Sequence, residues 1–154
     1  MTEKEAPTLT IPEVLVQKQV LSSDLLLVKV DTDGYDSECI LSFGEMLQSI
    51  SPLLFWENYF DFDGQMHKFI EMVDYLSENG YRDFFIFDNY GNYMCRVDAG
   101  SLKSINRYLG RILHKKSPRS FYYVDVLACK QEDKEICERE VEQYVKYFDS
   151  RLSM

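Results

Sequence analysis

The chain has 154 residues, 45% hydrophobic and 28% charged, which is enough apolar mass for one globular domain and too much for a disordered segment. Acidic residues outnumber basic ones 26 to 17, and the resulting net charge of -9 opposes a sequence-independent grip on a phosphate backbone, so nucleic acid is not an expected partner. No stretch is long and apolar enough to span a bilayer, and Cys39, Cys95, Cys129 and Cys137 form no CxxC pair or zinc spacing; a cytoplasmic protein with reduced thiols and no membrane partner is expected.

Residues 1–8 are polar and of mixed charge and read as a disordered tail before a single domain over residues 9–150. Thr10-Ile11-Pro12-Glu13 fits a capping box with proline in the first turn, which predicts a helix ending near Leu21, with Leu9 and Val14 as its hydrophobic staple. The run Leu25 to Val30 then reads as a strand buried on both faces and closes abruptly in Asp31-Thr32-Asp33-Gly34. A helix capped by Asp36 follows, with the stripe Ile40, Phe43, Leu47 and Ile50, and Pro52 stops it. Leu53 to Asn58 is a second buried strand whose polar tip, Glu57-Asn58, falls at the same edge of the sheet.

Asp63 caps a helix carrying Met66, Phe69, Ile70, Val73 and Leu76, with Gly80 as its left-handed stop. Phe84 to Phe87 and Tyr93 to Val97 flank Asp88-Asn89-Tyr90-Gly91-Asn92, whose Asn and Gly residues suit the positive φ angles of a hairpin turn. Ser101 to Leu113 is predicted helical from Leu102, Ile105, Leu109 and Ile112, Phe121 to Ala128 is a strand, and Gln131 to Phe148 is an amphipathic helix with Cys137, Val141, Tyr144, Val145 and Phe148 on one side. Such alternation predicts an α/β fold: a mostly parallel sheet with antiparallel strands toward the C-terminus and helices on both faces.

Taken in order, Lys29-Val30-Asp31-Thr32-Asp33-Gly34, Pro52 to Glu57, Gly80-Tyr81, the Phe87 to Asn92 turn and Phe121 to Leu127 resemble the C-terminal half of an FkbM-type methyltransferase, over roughly Leu9 to Ala128. The resemblance implies a partial Rossmann-like class I methyltransferase sheet in which Leu25–Val30 is the fourth strand and Leu53–Glu57 the fifth. Phe84–Phe87 and Phe121–Leu127 then form the terminal antiparallel pair. It also implies S-adenosylmethionine as cofactor and O-methylation of a sugar or small-molecule hydroxyl as the reaction. The family's first three strands and its glycine-rich cofactor loop have no counterpart here, and the residues before Leu25 contain no glycine.

Methyl transfer to oxygen needs in-line placement of acceptor and sulfonium and a base for the hydroxyl proton. By the resemblance, Asp31 is that base and also lies against the cofactor, together with Gly34; Lys29, two residues earlier on the same face, holds its charge or orients the acceptor. Asp33 and Glu57 complete an acidic rim at the acceptor, and Trp56, with Tyr59, Phe60 and Phe62, is a candidate pocket wall. The plainer reading has Asp31 and Asp33 shaping a loop and capping the following helix, with Gly34 permitting a backbone turn. Three carboxylates at adjacent strand ends also suit a hard cation such as Mg²⁺, but the spacing does not define a metal and none is expected. His67 and His114 are isolated, and the cluster Arg107, Arg111, Lys115, Lys116 and Arg119 reads as a solvated face.

Without its first three strands the sheet leaves Leu25–Val30 as an edge, and a long apolar edge invites pairing. A homodimer through this edge, or a partner supplying the N-terminal half, is therefore expected. A non-catalytic interaction or regulatory module using the same edge is the alternative, and the acidic surface suits a basic partner.

Overall fold

The computed structural model describes residues 8–59, 63–113 and 123–152; the expected N-terminal tail, apart from Thr8, lies outside them. Helix α1 (Ile11–Lys18) begins as the sequence dictates: the Glu13 carboxylate accepts the Thr10 N–H at 2.7 Å, and the Glu13 N–H donates back to the Thr10 hydroxyl at 3.4 Å. It stops short of Leu21 because Gln19 turns left-handed at φ 57°. Leu9 and Val14 both stay exposed, so the expected staple buries neither.

Strand β1 (Leu27–Val30) starts later than expected and is not buried on both faces. Leu26 is 80% and Leu27 55% exposed, and only Val30 is buried, because among the described residues β1 is an edge strand paired with β2. Helix α2 (Asp36–Leu41) gives way to a 3-10 turn over Gly44–Gln48 instead of running on to Pro52. Gly44 takes φ +55° at that break, while Ile40, Phe43 and Leu47 still face inward and are buried. Strand β2 (Leu53–Asn58) has its expected bounds, and its burial alternates strictly, with Leu54, Trp56 and Asn58 buried.

Helix α3 (Asp63–Glu78) ends at Gly80, φ +92°. The side chain of its expected cap, Asp63, lies outside the described residues. Strands β3 (Tyr81–Asp88) and β4 (Tyr93–Val97) form the expected hairpin, closed by the Asp88 carboxylate accepting the N–H groups of Tyr90 at 2.9 Å and Asn92 at 2.8 Å. Helix α4 (Ala99–Leu113), strand β5 (Val124–Lys130) and helix α5 (Lys134–Leu152) complete the chain. The expected start of the last strand at Phe121 lies outside the described residues, and the strand runs on to Lys130.

The sheet is five-stranded and mixed, in the order β1-β2-β5-β3-β4. It is not mostly parallel: only β1 and β2 pair in parallel, whereas β5 inserts antiparallel between β2 and β3, and β4 adds antiparallel to β3. Strands β1, β2 and β3 nevertheless point the same way, since β5 reverses direction relative to both its neighbours. Helices cover both faces. One face, with Leu54, Trp56, Phe84 and Val126, packs on Ile40 of α2, Phe69 and Val73 of α3, and Leu102 of α4. The other, with Phe85, Phe87 and Cys129, packs on Cys137 and Val141 of α5. No helix among the described residues is long and apolar enough to cross a membrane.

Candidate functional site

The parallel register of β1 and β2 pairs Val30 with Trp56, which sets Asp31 beside Glu57 as both strands end. β5 enters at the same end in the opposite direction, and its Asp125 pairs with Glu57. The end of the sheet is therefore a row of carboxylates contributed by three strands.

The loop after β1 is held from below. Asp33 at φ +50° and Gly34 at φ +96° turn the chain, and a Cβ on Gly34 would stand 2.8 Å from the Gln65 side-chain nitrogen of α3. Gly34 is thus buried against α3 and presents no open backbone, in contrast to the cofactor contact expected for it. Asp36 is not the helix cap either. Tyr35 holds that position, and Asp36, fully buried, turns its carboxylate back to accept the Thr32 N–H at 2.7 Å, the Thr32 hydroxyl, and the Glu57 N–H at 3.0 Å. Burial pushes this carboxyl above the ordinary range, opposed by the hydrogen bonds from Thr32 and Glu57.

Above this support Lys29 and Asp31 pair at 2.8 Å, both more than half exposed, as their shared strand face requires. The Asp31 carboxylate, through its hydrogen bond and its charge, raises the Lys29 ammonium above its usual value. Carboxylate oxygens of Asp31, Asp33 and Glu57 lie within 4.8 Å of one another. That is an oxygen donor set for a hard cation, but Asp33 and Asp31 are exposed and Lys29 already places a positive charge beside Asp31, so the arrangement carries no metal assignment. Burial raises Glu57, and the nearby charges of Asp125, Asp31 and Asp36 raise it further, against a hydrogen bond from Tyr123. Burial likewise raises Asp125, opposed by Lys29 and reinforced by Asp31, Asp88 and Asp36.

Asp125 was not singled out in the sequence, although its position between Val124 and Val126 carried the signal: strand alternation puts it on the face opposite two core valines. Trp56, expected at the acceptor, has no exposed surface and packs on the opposite face of the sheet from Glu57. Its indole N–H donates to Asn58 at 3.3 Å, and Asn58 donates to Asn106 of α4 at 2.7 Å, a buried polar chain that ties β2 to the helix layer. Tyr59 packs edge-on against Tyr123 at 6.1 Å, whereas Phe60 and Phe62 lie outside the described residues. His67, Arg107 and Arg111 are exposed on helices; His114, Lys115, Lys116 and Arg119 lie outside the described residues.

Beside the acidic end, a cleft of ≈ 310 Å³ opens between the sheet and α5, lined by Phe55, Phe87, Gly91, Asp125, Glu140, Val141 and Tyr144. A larger one of ≈ 620 Å³ lies further along α5, around Tyr93, Arg96 and Glu138. Chemically, the site offers an exposed carboxylate with an ammonium partner, two half-buried carboxyls that bind protons more readily than usual, and an aromatic cleft alongside. No family model, curated protein or solved structure matches this chain.

Proposed function

We propose that this chain is the acceptor-side half of an FkbM-like, S-adenosylmethionine-dependent O-methyltransferase domain, acting on a sugar or small-molecule hydroxyl and completed at β1 by further strands. The observation that carries the reading is β1 itself: the edge strand of the sheet among the described residues, parallel to β2, whose end presents the Lys29–Asp31 pair beside Glu57. The ordering of the remaining strands also supports it, with the terminal pair β3 and β5 antiparallel and next to β2.

In this reading Asp31 accepts the acceptor hydroxyl proton as the oxygen takes the methyl group, Lys29 fixes the charge and position of Asp31, and Asp33 and Glu57 hold the acceptor's other hydroxyls. S-adenosylmethionine supplies the electrophilic methyl group. Of the two residues expected against the cofactor only Asp31 is exposed to meet it, because Gly34 is covered by Gln65, and the sequence before β1 holds no glycine-rich loop, so most of the cofactor affinity depends on the strands that complete the sheet. The four unbridged cysteines support a reducing, cytoplasmic setting.

A non-catalytic interaction module is the second reading, favoured by the exposure of Leu26 and Leu27 at this edge of the sheet. Sedimentation and calorimetry on the intact chain separate the two. The enzyme reading expects self-association lost in Leu27→Lys, together with S-adenosylmethionine binding at ligand concentrations up to about 1 mM that Asp31→Ala weakens about tenfold. Association without cofactor binding leaves the interaction module. A monomer that binds no cofactor sinks both.

A further inference from the structure

We propose that the cleft between α5 and the sheet binds an organic cation, an alkylated ammonium group. Resting on the methyltransferase reading, we assign it as the subsite for an amine carried by the acceptor.

Three rings wall the cleft at different angles. Phe55 and Phe87 have centroids 6.3 Å apart with planes tilted by 53°, and Phe87 meets Tyr144 at 6.0 Å and 89°. Rings arranged in this way offer π faces and edges to one small volume, and π faces attract cations. The Tyr144 ring is held in place by its hydroxyl, which donates to the Gly91 carbonyl at 2.6 Å; a Cβ on Gly91 would stand 3.2 Å from that hydroxyl, so glycine keeps this clamp between α5 and the hairpin turn.

The charge in the cleft is negative. Asp125 is half-buried, and its carboxylate accepts no hydrogen bond and forms no ion pair among the described residues. Glu140 stands exposed at the rim and accepts from Arg139 at 3.0 and 3.1 Å. Among the described residues the charge of Lys29 acts on Asp125 against the like charges of Asp31, Asp88 and Asp36, and Glu57 is the direct cross-strand neighbour of Asp125. A half-buried carboxylate beside aromatic walls, with no hydrogen bond or ion pair among the described residues and only the more distant charge of Lys29 to offset it, gains from a counter-charge placed in the cleft. A metal ion finds too few oxygen donors there, and a bare ammonium keeps its water; an ammonium with alkyl substituents satisfies both the carboxylate and the rings. Because Asp125 pairs with Glu57, the cleft leads to the carboxylate row where Asp31 sits, so an acceptor anchored by its amine extends a hydroxyl toward that row.

The test is a titration of the intact chain with choline and with its uncharged carbon isostere, dimethylbutanol, followed by NMR shifts and calorimetry. Choline is expected to saturate at about 1 mM or below, with the isostere about tenfold weaker, and Asp125→Asn and Tyr144→Leu each costing about tenfold. Equal binding of the two probes, choline binding indifferent to Asp125→Asn, or no saturation overturns the proposal. Asp31→Ala separates the two readings, since it is expected to leave choline binding within about twofold and to weaken S-adenosylmethionine. Choline binding by a chain that binds no S-adenosylmethionine upholds the cation site and removes only its role as acceptor subsite; cofactor binding without choline binding removes the cation site alone.

Discussion

The buried carboxylate of Asp36 accepts the backbone N–H of Glu57 at 3.0 Å, so the start of the helix after β1 is bonded directly to the end of β2. The same carboxylate holds Thr32, and one side chain thereby fixes the loop that carries Asp31 and Asp33 against the strand that carries Glu57.

Asp36→Ala strips these partners and leaves the Thr32 and Glu57 N–H groups without their acceptor. A loss of about 2–3 kcal/mol in unfolding free energy is expected from urea titration, the scale for orphaned buried donors. A loss within experimental error would mean that water replaces the carboxylate without cost.

Acidification is expected to stabilise the fold before it destabilises it. Asp36, Glu57 and Asp125 all titrate above their ordinary values of 3.8 and 4.5, with burial the leading cause. The folded state therefore takes up these protons at higher pH than the unfolded chain, and stability rises as pH falls from neutral toward the ordinary carboxylate range. Below that range the carboxyls held low by hydrogen bonds, Glu13, Asp88, Asp98 and Glu132, are protonated and their contribution is lost. Urea midpoints from neutral pH down to about pH 4 check the rise, and Glu57→Gln or Asp125→Asn flattens it while raising stability at neutral pH.

Lys29→Ala and Asp31→Ala are expected to leave the thermal midpoint unchanged, because an exposed ion pair contributes little to folding. If the pair serves chemistry, the same variants lower methyl transfer in the assembled protein. A midpoint that drops in both variants would give the pair a structural role instead.

Gly34→Ala meets two obstacles, a φ of +96° and the Gln65 side chain at 2.8 Å. A cost above about 1 kcal/mol is expected, reduced but not abolished in a Gln65→Ala background, where only the backbone strain persists. Full rescue by Gln65→Ala would show that the contact alone requires glycine.

The hairpin, the capping box at Thr10 and the bounds of β2 were legible because each is specified by neighbours in sequence: turn residues at Asp88 to Asn92, Thr10 with Glu13, and an apolar run ended by Pro52 on one side and Glu57-Asn58 on the other. The Asp31, Asp33 and Glu57 group was legible for a related reason, since parallel strands end together. Trp56 was misplaced because composition marks it as apolar and aromatic without saying which face of β2 it takes, and the register assigns it to the helix-covered core.

By itself, then, the sequence determined the order of strands and helices and that Asp31, Asp33 and Glu57 stand at strand ends, because capping, turn chemistry and hydrophobic period act over a few residues. Only the tertiary structure decided that β5 inserts between β2 and β3 and turns an expected mostly parallel sheet into a mixed one. That insertion brings Asp125 opposite Glu57, and the packing of α5 over it closes an aromatic cleft beside the carboxylates. The pairing joins residues far apart in the chain, and its register is set by which faces can be buried together, a property of the assembled sheet and not of any one segment.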